Sequence, residues 1–390
     1  MHRLFSMETN RHYQICANCV MDTSAIEIIF DEKGVCNFCR DFEVLANKTI
    51  WRPLEIRLNE LKESIIKIKD LGKFDKYDCL IGLSGGVDSS FLCYWAKQEG
   101  LRPLVVHFDN GWNSELATIN IERIIQKTGF DLYTYVINWE DFKDLQLSYI
   151  KASVIDIEVP TDQLIFASLY RIARKFKVKS IINGNNISSE AILPCSWIYA
   201  DKLDIVNLTS IHKQFGTRKL KNFPKLSLTQ QYVYSKLFNM FSLSPFNLLD
   251  YDKNKAKEFL IKEFAWCDYG GKHYESVFTR FYQGYILPRK FKVDKRRAHL
   301  ATLVAAHLMK RNEALEELKQ PTYNPELQKQ DYEYALKKFD LRREEFEKYM
   351  NQPPVPHVKY GTQWDKKHFR KHYIFKRTIG PLLDLIKPFI

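Results

Sequence analysis

One stretch, Asp78–Ser90 (DCLIGLSGGVDSS), limits what this chain can fold into more than any other. Cys79–Leu83 has the length and apolar composition of a buried strand. Gly85 and Gly86 let the backbone bend tightly and approach a ligand without interference from a Cβ. Phe91, Leu92, Tyr94 and Trp95 follow at helical spacing, so the turn opens onto a helix N-terminus. A strand, a glycine turn and exposed amides at the positive end of a helix dipole together make a phosphate cradle. It is not a Walker A loop, which needs a Lys followed by Ser or Thr after its second Gly, and the dinucleotide fingerprint GxGxxG is absent. A plain Gly-Gly turn explains the glycines but leaves Ser84, Asp88, Ser89 and Ser90 without a purpose.

The 390 residues suffice for one large domain or two to three ordinary ones. A net charge of +12, from 59 basic and 47 acidic side chains, suits polyanionic ligands: nucleotides, sugar nucleotides, RNA or an acidic partner. It does not choose among them. The N-terminal MHRLFSMETNRHYQ has no apolar core of a secretory signal, and no stretch reaches about 18 uninterrupted apolar residues. A cytoplasmic protein without a membrane segment is therefore expected.

Half of the eight cysteines cluster as Cys16-x2-Cys19 and, sixteen residues on, Cys36-x2-Cys39. In a reducing compartment this spacing predicts a four-thiolate zinc site rather than disulfides. Glu27–Phe30 reads as a strand and Asp31–Gly34 as a turn, which together give a zinc-ribbon hairpin. A redox role is the weaker reading, because two matched pairs favour a closed tetrahedral site. Four thiolates leave no open coordination position, so the zinc is expected to be structural.

Elsewhere the chain alternates helix and strand. Trp51–Leu71 is an amphipathic helix; after the glycine loop a helix runs to about Glu99. Pro103–Phe108 is a second strand, ending in Asp109-Asn110-Gly111, then come a helix at Asn113–Thr128, a strand at Leu132–Ile137 and a helix around Asp141–Ile150. Thr161 and Asp162 are candidate caps for the next helix. Val178–Ile182 is a fourth strand, followed by Gly184-Asn185-Asn186 and Glu190. This order predicts an α/β fold with a doubly wound parallel sheet. Asp109 lies where such sheets bind nucleotides, at the carboxyl edge, although a turn aspartate would look the same.

Clean βα units stop near Trp197. Asp252–Phe264, Ala298–Met309, Glu313–Leu318 and Asp331–Tyr349 are expected helices, and Gln352–His357 a Pro-rich break. Residues 269–300, YGGKHYESVFTRFYQGYILPRKFKVDKRRAHL, pack cations among aromatics and glycines, unlike a plain solvated face. Several of them are expected to face a phosphate-bearing ligand. The divisions are 1–50 (zinc ribbon), 51–200 (ATP-binding α/β domain), 201–350 (mainly helical, substrate-binding) and 351–390 (basic tail).

SGGVDSS resembles the PP-loop of the ATP pyrophosphatases, which release AMP and pyrophosphate. With the four-cysteine site, GGKHYES and DKRRAHL, the chain resembles the N-acetyl sugar amidotransferases of WbpG/PseA type. The likeness runs from about Tyr13 to Leu318. It implies a ligase that converts an acetamido group on a nucleotide-activated N-acetyl sugar into an acetamidino group, for bacterial surface polysaccharide (O-antigen or nonulosonic acid). ATP would lie on Ser84, Gly85, Gly86, Val87, Asp88, Ser89 and Ser90, with Asp109 and Gly184 nearby. Mg²⁺ would bridge its phosphates, with Asp88 as a contributor. Lys290, Lys295 and Arg296 are candidates to neutralise phosphate charge, and His273 and Glu275 for substrate contact or proton transfer, unless they are structural. Lys272, His273, Arg280 and Arg296 are candidate substrate ligands. The resemblance also implies ammonia from a HisH-like glutaminase with a HisF-like partner; this chain has no glutaminase motif, since Cys195 lies in LPCSW.

The rival is a tRNA-thiolating PP-loop enzyme, which needs a sulfur-carrying cysteine or an Fe–S site near the adenylate. Cys79 and Cys93 read as buried strand and helix positions, and Cys195 and Cys267 are unpaired in sequence. A nucleic-acid partner is therefore not expected. A non-enzymatic zinc-ribbon binder would leave SGGVDSS without a use.

Overall fold

Cys79–Gly82 (β1) is the middle strand of a five-stranded sheet, all parallel, in the order β3-β2-β1-β4-β5. The structure is a computed structural model and describes residues 12–237, 240–271, 274–365 and 367–368. The other strands are Pro103–Asp109 (β2), Asp131–Val136 (β3), Ser180–Ile182 (β4) and Phe241–Leu243 (β5). Register is set by pairs such as Leu80 with Leu104 and Leu80 with Ile181. Cys79, Leu80 and Ile81 are all buried, because a central parallel strand is covered on both faces.

Helices Asn37–Lys48 (α1), Leu54–Leu71 (α2), Val87–Gln98 (α3), Glu115–Thr128 (α4), Trp139–Lys151 (α5) and Val159–Lys175 (α6) precede β4. After it come Ile187–Glu190 (α7), Ile205–Phe215 (α8), Leu228–Leu237 (α9) and, beyond β5, Lys253–Phe264 (α10). Ile81 and Val105 face a core with α2, α3, α4 and α10, while Leu80, Leu104 and Val106 face Ile172 and Ala173 of α6. The sheet is doubly wound, as expected. Strand order reverses between β1 and β4, so the crevice of such a sheet opens at their carboxyl ends.

Val277–Phe281 (α11), a π-helix at Tyr282–Phe291, Arg296–Ala305 (α12), Arg311–Lys319 (α13), Pro325–Phe339 (α14) and Arg343–Asn351 (α15) complete the described fold. They share a core with α5 and the cysteine module, built on Trp112, Phe142, Tyr149, Phe278, Phe281, Phe339 and Phe346. No described helix is long and apolar enough to cross a membrane.

Several local expectations are corrected. The sheet gains β5 after a helical excursion, beyond the point near Trp197 where clean units were expected to end. A three-residue strand carries too little periodicity to be recognised. Helix α6 starts at Val159, before Thr161 and Asp162, because Pro160 fits the first turn, where its missing N–H costs nothing; Asp162 instead pairs with Lys202 at 3.0 Å. Asp331–Tyr349 is two helices, broken where Asp340 takes a left-handed φ of 53°. The ribbon's strands shrink to single bridges, Ile15 with Asp22 and Phe30 with Cys36. Asp31 Oδ1 accepts from the Lys33 and Val35 amides, so local turn bonds replace a ladder.

Candidate functional site

β1 delivers the chain into the crevice, and the glycine loop is built by its own serines. Ser89 Oγ donates to the Gly86 carbonyl (3.1 Å) and accepts from the Ser84 amide (3.2 Å), while Ser84 Oγ accepts from the Gly86 amide (3.2 Å). Gly85 has a φ of +85°, and a Cβ there would stand 2.5 Å from the Ala117 carbonyl oxygen. Only glycine fits. Trp266 Nε1 donates to the Gly85 carbonyl at 3.0 Å, which fixes the turn from above. Ser90 is fully buried, and its Oγ has no partner among the described residues.

Asp88 sits in the first turn of α3, where a carboxylate is favoured by the dipole. It accepts from Tyr251 Oη and Lys253 Nζ, both at 2.7 Å. A Cβ on Gly184 would be 3.4 Å from Asp88 Cβ, so β4's following turn closes against this carboxylate. Asp109 accepts from the Gly111 amide (2.9 Å) and Asn113 Nδ2 (3.3 Å), which makes it the organiser of the turn after β2. His107 Nδ1 donates to the Leu83 carbonyl at 3.0 Å and Nε2 accepts from Asn113 Nδ2 at 2.9 Å, tying the two loops together.

Tyr269 and Glu275 lie against the glycine loop. A Cβ on Gly86 would be 3.2 Å from Tyr269 Oη and 3.5 Å from Glu275 Oε1. The Ser114 amide donates to the Glu275 carbonyl and the Val277 amide to the Trp112 carbonyl, both at 2.8 Å. Burial, then Glu275 and Asp88, push the Tyr269 phenol above its usual range, so it remains a hydroxyl donor at neutral pH.

Beyond Tyr269 a cavity of about 890 Å³ opens, walled by Ser189–Glu190, Gly270–Gly271, Arg280, Lys295–Arg296, His299 and Thr322–Asn324. Arg280, Lys295 and Arg296 therefore share one cavity. Arg280 is locked to Asp331 by two bonds (2.6 and 2.8 Å) beneath the Tyr274 ring, and Arg296 to Asp294 at 2.7 Å and to three carbonyls. Lys295 has no ion pair with a described residue, which makes it the cavity's available cation. Lys290 does not line the cavity. It donates to Ser153 Oγ (3.0 Å) and to the Tyr349 carbonyl, and burial lowers its ammonium to about 8. Its expected place beside phosphate is corrected: the wide π-helix turns it toward α15. Lys272 and His273 lie outside the described residues.

Sequence reasoning missed Tyr251 and Lys253, which reach the loop from the start of α10, and Tyr269 and Trp266. The only signal was Tyr251-Asp252-Lys253 at a capped helix start, with Asp252 accepting from the Asn254 and Lys255 amides.

The cysteine centre lies apart from the loop. Sulfur–sulfur distances are 3.8 Å (Cys16–Cys39), 3.7 Å (Cys19–Cys36) and 3.7 Å (Cys36–Cys39). A tetrahedral metal with bonds of ~2.3 Å to sulfur spaces its ligands about 3.8 Å apart. The amides of Asn18, Cys19 and Cys36 point at Cys16 Sγ (3.4, 3.4 and 3.2 Å), as in a metal knuckle. The donor set fits one thiophilic ion. Arg311 donates to the Cys16 and Cys19 carbonyls, and Arg297 to the Val20 carbonyl and Asp22. Both arginines belong to α12–α13, the helices that also wall the cavity.

Comparison with known sequences adds a decisive observation about that wall. Residues 275–372 match the family described as LPS biosynthesis protein WbpG-like, C-terminal domain. The segment is similar to a WbpG-like domain. It supplies Glu275 at the loop and Arg280, Lys295 and Arg296 in the cavity. A tRNA(Ile)-lysidine synthase of Chlamydia pneumoniae is 39% identical over 71 residues, 17% of this chain and 22% of that protein; the chain thus spans less than a quarter of this curated relative. Among solved structures, NMN synthetase from Francisella tularensis is 15% identical and covers 52% of this chain and 86% of its own, with a TM-score of 0.28. NH3-dependent NAD synthetase from Campylobacter jejuni is 15% identical, covering 54% and 96%, with a TM-score of 0.28. The U34-tRNA thiolase NcsA from Methanococcus maripaludis, with its [4Fe-4S] cluster, is 14% identical, covering 79% and 88%, with a TM-score of 0.28.

Proposed function

We propose that the protein is an ATP-dependent amidotransferase that turns the acetamido group of a nucleotide-activated sugar into an acetamidino group for surface-polysaccharide synthesis. The observation that carries this reading is the junction of the SGGVDSS loop with a cavity walled by the WbpG-like domain.

An amide oxygen is a poor leaving group, so ammonia displaces it only after activation. Attack of that oxygen on the α-phosphorus of ATP forms an O-adenylyl imidate and releases pyrophosphate. Ammonia then adds to the imidate carbon, the C–O bond breaks, AMP leaves with the oxygen and a proton is lost. The loop amides from Ser84 to Ser89 would hold the departing pyrophosphate, with Lys253 balancing its charge. Lys295 would take a phosphate of the sugar nucleotide. Tyr269, which meets both Gly86 and the cavity, and Glu275 beside Gly86 would orient the acetamido group. Asp88 would help hold a divalent cation on the triphosphate. The four thiolates would hold zinc, whose preferred sulfur spacing they match. Ammonia from a separate glutaminase with a cyclase-like companion, and a cytoplasmic location, belong to the same proposal.

One alternative, transfer of sulfur to tRNA, is kept within the test; the match to a tRNA(Ile)-lysidine synthase bears only on tRNA as a substrate. Cys267 is the cysteine beside the loop: its amide binds Asn120, which contacts the Gly85 carbonyl. Cys93 is fully buried, and burial raises its thiol to about 12. The test is pyrophosphate release with a nucleotide-linked acetamido sugar plus ammonium. Stimulation by these, retained in Cys267→Ser, is expected, and mass spectrometry should find oxygen replaced by NH. Release that needs tRNA and disappears in Cys267→Ser would overturn the proposal.

A further inference from the structure

A second hollow, of about 430 Å³, lies under the loop that follows α8 and shares no lining residue with the cavity beside the glycine loop. Its shape is fixed by two carboxylates of α5. Asp144 accepts from the Thr217 amide (3.0 Å), Thr217 Oγ (2.7 Å), the Arg218 amide (3.3 Å) and His212 Nε2 (2.8 Å). Asp141 accepts from the Lys221 and Asn222 amides at 3.1 and 3.0 Å. Burial would raise the Asp144 carboxyl, but the bonds from Thr217 and His212 hold it below its usual range, so it stays ionised. The loop is thus preorganised, which lowers the ordering cost of any ligand it receives.

What the loop presents outward is positive. Lys213, Lys219 and Lys225 border the hollow, and none has an ion pair or hydrogen bond to a described residue. The acids nearby are turned inward or, for Glu140, taken by Arg218 at 2.9 Å. Cations gathered around one concavity repel each other unless an anion sits among them. Ammonium groups act as point charges that suit a phosphate, and the volume is that of a small-ligand site.

We propose that this hollow is a second phosphate-binding site, which takes a phosphomonoester or diphosphate group other than that of the reacting nucleotide. The group can come from a soluble phosphorylated molecule or from a lipid-linked head group. The site does not depend on the amidotransferase reading.

The full chain is titrated with inorganic pyrophosphate, the glycine loop being saturated with a non-hydrolysable ATP analogue. The triple variant K213Q/K219Q/K225Q should bind pyrophosphate more weakly, by about fivefold per lysine removed. The triple Lys→Arg variant should retain binding, and equal melting temperatures of the three proteins check that the fold is kept. A second arm measures sedimentation with phosphatidic acid–phosphatidylcholine vesicles, whose acidic lipid carries a phosphomonoester. Parallel loss of vesicle binding in the Gln variant assigns a lipid source, and no vesicle binding by either protein assigns a soluble one. Unchanged affinity for both probes in the Gln variant overturns the proposal.

Discussion

Asp88 and Lys253 form an ion pair in which both side chains keep partial access to solvent, 25% and 35% exposed. Such a pair contributes little to stability, about 0–1 kcal/mol, so its placement on a phosphate loop is better explained by ligand binding. Lys253→Gln should lower the rate of pyrophosphate release by ~10²-fold, as for the loss of one preorganised charge, with a melting temperature near that of the parent. A rate within a few-fold of the parent would remove Lys253 from the phosphate site. Gly85→Ala should fail differently: with φ at +85° and Ala117 in the way, it should cost ~2 kcal/mol of stability and block ATP binding. A melt and a nucleotide titration separate the two effects. The loop was legible because its parts adjoin in sequence. Lys253 was not, since it stands 165 residues from Asp88 and the only mark in its own neighbourhood is a capped helix start. Lys290 shows the reverse case: the basic run was legible as composition, but not the direction of each cation. A helix bonded i→i+5 turns each residue by less than an α-helix does, and this moved Lys290 off the cavity.

The alternation of strands and helices up to β4 could be read from the sequence because each element buries an apolar face of its own period. The order of the strands could not, since pairing of β5 with β4 joins Ser180 to Phe241 across a helical excursion. Nor could the docking of the cysteine module. Its first knuckle is gripped by Arg311 and Arg297, and its later part by the segment after α7, where Trp197 Nε1 donates to the Ser24 carbonyl and the Ser196 amide to Glu27. Arg297 follows directly on Lys295 and Arg296, so the metal module buttresses a cavity wall. Removing the metal with a chelator should release the knuckle carbonyls from the geometry these arginines need. The expected result is faster amide exchange in α12 as well as in the module, with weaker binding of the proposed sugar nucleotide. The glycine loop, carried by the sheet, should keep its affinity for ATP. Exchange in α12 that does not depend on metal would show the module to be a passenger. Arg311→Ala should keep the metal, because it touches carbonyls and no sulfur, while it lowers the melting temperature.

Over the whole molecule, the chain returns late to fasten its middle. His357 is buried between Asp156 and Asn207: Nε2 accepts from the Asp156 amide (3.3 Å), Nδ1 donates to Asn207 Oδ1 (3.1 Å), and the ring stacks on Tyr199 at 4.4 Å. Asn207 Nδ2 in turn donates to the His357 and Gly361 carbonyls at 2.7 and 2.9 Å. Both ring nitrogens are satisfied only while the ring is neutral. Burial lowers its pKa to about 4, against the pull of Asp156 and with a further push from Lys202. In the unfolded chain a histidine titrates near ~6.5. Above that pH both states hold a neutral ring, and His357 adds no pH dependence. As pH falls from ~6.5 toward 4 the unfolded state takes up a proton that the folded state refuses, so stability falls by up to about 3 kcal/mol. Asp156 is held below its usual range despite burial, so its stabilisation is lost only at lower pH; burial raises Asp162 and Asp204, which therefore take up protons first in the folded state and offset part of the His357 loss. Melting temperature measured from pH 7.5 to 4.5 should therefore drop below about 6.5. In His357→Gln, which keeps a hydrogen-bonding group but cannot titrate, the slope should flatten while stability at pH 7.5 is lower. Parallel curves for the two proteins would show that the acid sensitivity arises elsewhere and that His357 is only a packing residue.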